Sequence, residues 1–134
     1  MKIDFAFICD YADTSGGKIN ALGIGFDTIY ASTIPIHHPL FFLVFQIRAN
    51  VVEAGEKSMV VNLIDDDGQN IIPPLNGKIN IAKPAAGTES VGRVAMAFNG
   101  VRFPKYGSYS LHAVVEGHDM VNVSMKVSQP PKSA

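Results

Sequence analysis

The residues of this chain whose types could do chemistry are four histidines (His37, His38, His112 and His118), one cysteine (Cys9) and the acidic run Asp65-Asp66-Asp67-Gly68. Three or four histidines are enough for a zinc site, and neighbouring carboxylates offer the hard oxygens that calcium takes. The spacing argues against both. His37 and His38 are adjacent, so on an extended chain they point opposite ways and at most one joins a cluster. No His-Glu-x-x-His or Cys-x-x-Cys occurs. The acidic run lacks the spacing and twelfth-position glutamate of a calcium loop, and Asp-Gly is a preferred dipeptide of tight hairpin turns. A metal role would need Asp13 or Asp119 to converge on the same end. The expectation is a turn, surface and loop histidines, and no cofactor or metal.

Nucleophilic catalysis is equally unsupported. There is no Gly-x-Ser-x-Gly elbow, and Gly16-Gly17-Lys18 lacks both the upstream glycine spacing and the following Ser or Thr of a phosphate loop. Cys9 ends the run Ile3-Asp4-Phe5-Ala6-Phe7-Ile8-Cys9, whose odd positions share one apolar face, so a buried, inert thiol is expected. Being single, it allows no intrachain disulfide. Glycan binding on a sandwich relies on exposed aromatic platforms; the chain has no Trp, and Tyr11, Tyr30 and Tyr106 offer only a modest aromatic surface. No motif assigns an activity, and the chain is not expected to be an enzyme.

The elements that would position these residues are strands. The 134 residues make one domain with a core of its own. With 47% hydrophobic and 17% charged residues, disorder is excluded. A net charge of -1 without any basic cluster argues against nucleic acid or an anionic membrane surface as partner. The longest apolar run, Pro39 to Phe45, is far too short for a membrane span, and no secretory leader pattern is present. A soluble cytoplasmic protein is expected.

Period-two alternation runs through the chain. Tyr109, Leu111, Ala113 and Val115 answer Val121, Val123, Met125 and Val127 across the turn Glu116-Gly117-His118-Asp119, a β-hairpin. Earlier strands are expected over Lys2 to Asp10, Lys18 to Gly25, Phe26 to Thr33, Leu40 to Asn50, Lys57 to Asp65, Gly77 to Ala82 and Ser90 to Asn99, with Tyr11 to Gly17 as a turn. Leu40–Asn50 and Lys57–Asp65, joined by Glu53-Ala54-Gly55-Glu56, read as antiparallel neighbours. Lys83 to Thr88 reads as a crossing between sheets. The whole implies an all-β, two-layer immunoglobulin-like β-sandwich of about eight or nine strands with Greek-key connections, a small β-barrel being the alternative. The domain is expected over 1–127, with a flexible C-terminal tail at 128–134. Gly107-x-Tyr109 at the start of the penultimate strand fits a tyrosine corner, whose hydroxyl bonds to backbone a few residues upstream.

Several stretches carry a resemblance: Phe5-Ala6-Phe7-Ile8-Cys9-Asp10-Tyr11-Ala12, Gly17-Lys18-Ile19-Asn20, Leu22-Gly23-Ile24, Phe26-Asp27-Thr28-Ile29 and His38-Pro39. Leu63-Ile64-Asp65-x-Asp67-Gly68, Asn99-Gly100-x-Arg102-Phe103 and Gly107-x-Tyr109 continue it. Together they resemble a family of small uncharacterised bacterial proteins over nearly the whole chain. The resemblance implies a β-sandwich and a bacterial source, and the family carries no activity or site to transfer.

One anomaly is left for function. Leu40, Phe42 and Val44 make the second face of the Leu40–Asn50 strand apolar, and Val60 and Ile64 do the same on the next strand. An apolar patch of that kind is either an interface or a face covered by another segment, such as Phe26 to Pro35. The interface reading makes the protein a noncatalytic protein–protein interaction or structural module, a homodimer or the partner of another protein. The alternatives are a small-molecule or glycan-binding sandwich and a histidine-based metal-dependent hydrolase.

Overall fold

Alternating apolar residues become strands with one buried face almost wherever the pattern holds. The computed structural model describes residues 1–84 and 86–132; Ala85, Ser133 and Ala134 lie outside the described residues, and with them the last two positions of the expected 128–134 tail. The chain is all-β. Among the described residues ten strands run in order as β1 (Lys2–Cys9), β2 (Tyr11–Ser15), β3 (Lys18–Leu22), β4 (Thr28–Tyr30), β5 (Ile36–Asn50), β6 (Gly55–Asp65), β7 (Leu75–Ile81), β8 (Glu89–Phe103), β9 (Gly107–Val115) and β10 (His118–Ser128). They form a three-stranded sheet, β1-β5-β8, a five-stranded sheet, β4-β10-β9-β6-β7, and a separate β2-β3 pair. β10 includes Ser128, whose carbonyl accepts from Ala31 N, so the strand outlasts the expected domain end by one residue.

A single hydrophobic cluster joins the two larger sheets. Phe41, Leu43, Phe45, Ile47 and Ala49 of β5 pack with Met59, Val61 and Leu63 of β6 and with Tyr109, Leu111, Ala113 and Val115 of β9. These are the alternating positions of the sequence pattern, and each strand keeps its other face for solvent or for the β2-β3 pair.

Three expectations are corrected. β5 and β6 are not antiparallel neighbours: β5 pairs with β1 and β8, and β6 with β7 and β9. The intervening Val51–Glu53 is a 3₁₀ turn capped by Asn50, whose side chain accepts from Val52 N and Glu53 N, and it carries the chain from one sheet to the other instead of closing a hairpin. Tyr11 to Ser15 is a strand, with the turn reduced to Gly16-Gly17; both glycines have positive φ (58 and 73), which two-residue hairpin turns demand. Third, a register shift between Ile3 and Phe5 in β1 breaks the shared odd-numbered face. Ile3, Ala6 and Ile8 face the main core, while Phe7 and Cys9 turn to the opposite side. The crossing from β7 to β8 lies where the linker-like Lys83–Thr88 stretch was expected to change sheets, and its Ala85 is outside the described residues.

Candidate interaction surface

The outer face of the three-stranded sheet is built from Phe7 and Cys9 of β1, Phe42 and Val44 of β5, and Ala95 of β8. Cross-strand pairs set them side by side: Phe7 beside Val44, Cys9 beside Phe42, and Val44 beside Ala95. The β2-β3 hairpin folds over this face and adds Ala12, Ile19 and Ala21, giving a second small core with Cys9, Ala12 and Val44 fully buried. Burial raises the Cys9 thiol pKa, and its Sγ donates to the Tyr11 carbonyl at 3.4 Å.

The cover is incomplete at one end. Tyr11 sets its ring edge-on to Phe42 at 5.2 Å, yet stays 47% exposed; Leu22, its partner across the hairpin, is 68% exposed, and Leu40 at the end of the sheet 36%. Tyr11 thus packs on the half-buried Phe42 and pairs with Leu22, while Leu40 lies two residues before Phe42 on β5; we call these exposed side chains the crest. Of the five residues expected at an interface, Leu40 is exposed, Phe42 is half-buried at the edge of the small core, and Val44 lies beneath the hairpin. Val60 and Ile64 occupy the outer side of β6 in the other sheet, because β5 and β6 do not pair. The five therefore form no single patch. Alternation within a strand marks apolar positions without saying which sheet holds them; Tyr11 stands in a stretch expected as a turn and Leu22 in an expected strand, and only the β2-β3 pairing sets them side by side.

Tyr109 lies at the start of β9, buried, with its ring edge-on to Phe103. Its hydroxyl donates to the Lys105 carbonyl at 2.6 Å and stands 3.3 Å from Lys105 N. This ties the β8–β9 connection to the strand that follows. Tyr109→Phe is expected to cost about 1 kcal/mol of stability, the value of one such bond with its acceptor left in part to water. An unchanged urea midpoint would remove the tie.

The acidic turn is held by its own backbone. The Asp65 carboxylate accepts from Asp67 N and Gln69 N, both at 2.9 Å, and these bonds lower its pKa, those from the backbone first. Lys105 Nζ reaches Asp67 at 3.0 Å and Asp66 at 3.1 Å, which holds the ammonium well above its ordinary pKa. Asp65, Asp66 and Asp67 are the one group of potential metal-binding side chains among the described residues, and they already share a cation. Beside them Asp27, Ser108, Ser110, Ser124 and Lys126 line a cleft of about 380 Å³.

The histidines do not gather at one point. His38 sits between Phe26 and Phe41, half-buried, and desolvation lowers its pKa. His37 and His118 are exposed. His112 lies on the outer side of β9, where its Nε2 is 2.9 Å from Ser110 Oγ and its Nδ1 is 3.8 Å from Asp119 Oδ2.

No curated protein matches the chain in sequence. A solved structure of an alkylpurine DNA glycosylase, AlkC, from Pseudomonas fluorescens, bound to DNA containing an abasic site analog, is similar at 12% identity with a TM-score of 0.41. That likeness covers 76% of this chain and 27% of the glycosylase chain, so the chain spans about a quarter of that protein's length. The model of a family of unknown function, DUF6941, matches residues 4–128, and the chain belongs to that family.

Proposed function

We propose that the chain is a noncatalytic immunoglobulin-like sandwich that works by protein–protein contact, pairing with a second copy of itself through the crest of Tyr11, Leu22 and Leu40. The observation that carries this reading is the exposure of these three large side chains, Tyr11 packed on Phe42, Leu22 paired with Tyr11, and Leu40 two residues from Phe42 on β5. Large apolar side chains left together in water are costly, and a patch of them usually marks a contact site. A net charge of -1 means that two copies meet with almost no mutual repulsion. A two-fold dimer would set the patch against itself, so one surface suffices.

The immunoglobulin-like part rests on strand order. The β6-β7 and β9-β10 hairpins lie together as β7-β6-β9-β10, against β1-β5-β8. This matches a sandwich in which the C-C′ and F-G hairpins share one sheet, with the tyrosine corner at the start of F. The noncatalytic part is supported by the surroundings of Ser110, whose hydroxyl shares a hydrogen bond with His112. β9 is paired on both sides along this stretch, so its amides are taken up in the ladders and leave no pair of donors for an oxyanion. Asp119 is too far from His112 for a hydrogen bond.

Light scattering during gel filtration tests the pairing. The wild-type chain is expected to run as a dimer, and the Tyr11→Ser/Leu22→Ser double variant as a monomer with a nearly unchanged melting temperature. Leu22 and Tyr11 are better probes than Phe42, whose half-buried ring also supports the hairpin. A wild-type protein that stays monomeric at high concentration would overturn the reading.

A further inference from the structure

Outside the crest, the tip of the β2-β3 hairpin and β8 form a cleft of about 250 Å³ lined by Thr14, Ser15, Gly16, Gly17, Lys18 and Arg93. The sequence holds no basic cluster, because Lys18 and Arg93 lie far apart along it; the hairpin brings them together by folding across the sheet. Neither cation takes part in an ion pair among the described residues. The nearby acids are engaged elsewhere: Asp13 accepts from Asn20 at 2.9 Å, and Asp4 and Glu89 both face Arg48. Two like charges thus line one cleft that contains no carboxylate, an arrangement that a bound anion relieves.

The remaining groups are donors as well. Thr14 and Ser15 bring hydroxyls. Gly16 and Gly17 leave the turn backbone open, with nothing within 4 Å of where a Cβ would stand, and among the described residues neither of their N–H groups donates to a backbone acceptor. Hydroxyls, bare amides, an ammonium and a planar guanidinium together suit a tetrahedral oxyanion: Arg engages two oxygens side by side, Lys acts as a point charge, and the turn supplies short neutral bonds. This is not the phosphate loop of nucleotide-binding proteins, since no helix follows the glycines.

We propose that this cleft binds a phosphate group, either as free phosphate or as a phosphomonoester. Titration of ¹⁵N-labelled protein with inorganic phosphate, at an ionic strength held constant with sodium chloride, tests it. The expected result is saturable amide shifts confined to Thr14–Lys18 and the neighbourhood of Arg93, absent with chloride alone. Arg93→Gln and Lys18→Gln should each weaken binding about tenfold or more, as expected for loss of a charge-assisted bond. Both side chains are exposed, so neither change should disturb folding. A parallel titration with glycerol phosphate distinguishes the two sources, the tighter ligand naming the one the cleft prefers. Shifts scattered over the surface, reproduced by chloride, or indifferent to Arg93→Gln would overturn the proposal.

Discussion

Val44→Asp is expected to lower stability by about 3 kcal/mol or more, while the same change at Val52 should cost no more than about 0.5 kcal/mol. Val44 is fully buried between β1 and β8 and beneath the β2-β3 hairpin, packed with Cys9 and Ala12; Val52, in the 3₁₀ turn, is 87% exposed. A carboxylate at Val44 would meet only apolar groups and a neutral thiol, so it folds by staying protonated, with its pKa pushed above the unfolded value. The sign of the pH dependence follows. Above the ordinary Asp pKa of about 3.9 the unfolded chain has released a proton that the folded chain still holds, so the deficit grows as pH rises and narrows toward acid. Urea unfolding of both variants at neutral and acid pH checks both points. If Val44 were instead a partner contact, Val44→Asp would abolish association and leave the monomer's midpoint where it was.

That contrast shows where sequence reading reached and where it stopped. Alternation identified the inner face of β5, from Phe41 to Ala49, and the buried positions of β9 and β10, because a period of two within one strand depends only on local geometry. Tyr109 was legible for the same reason: its corner needs a glycine two residues before it and a backbone acceptor four residues upstream, all within one short stretch. The partners of a strand are not local. Nothing between Asn50 and Gly55 says whether the chain turns back beside β5 or crosses to the other sheet, and that choice decides whether Val60 extends the patch of Phe42. The phosphate cleft was illegible for the same reason. Lys18 and Arg93 meet only because a short hairpin, seen in the sequence mainly as turn residues, lies across three strands paired far from it.

A second large effect is expected where the two sheets close on each other. Gly92 lies on the inner side of β8, buried, beside Ile47 of β5. A Cβ there would stand 3.3 Å from Ile79 Cγ2 and 3.3 Å from Ile81 Cγ1, both on β7, the edge of the five-stranded sheet. Val94, Met96 and Phe98 pack toward the same core, and a glycine in phase with them marks a close approach by another strand. Gly92→Ala asks Ile79 and Ile81 to yield by a few tenths of an ångström and should cost about 1 kcal/mol. Gly92→Leu cannot be accommodated that way and should cost about 3 kcal/mol, the upper end of overpacking in a close-packed core. Both isoleucines are almost fully buried and lie in the main cluster, so a displaced β7 would open the core itself and not merely an edge. The Leu variant should therefore bind a hydrophobic dye as well as unfold at lower urea. A Leu variant as stable as the wild type, without dye binding, would mean that β7 and β8 do not seal this side of the core. The β7 edge would then be uncovered by β8, and the pairing of copies would have to be sought there, by strand addition, before it was sought at the crest.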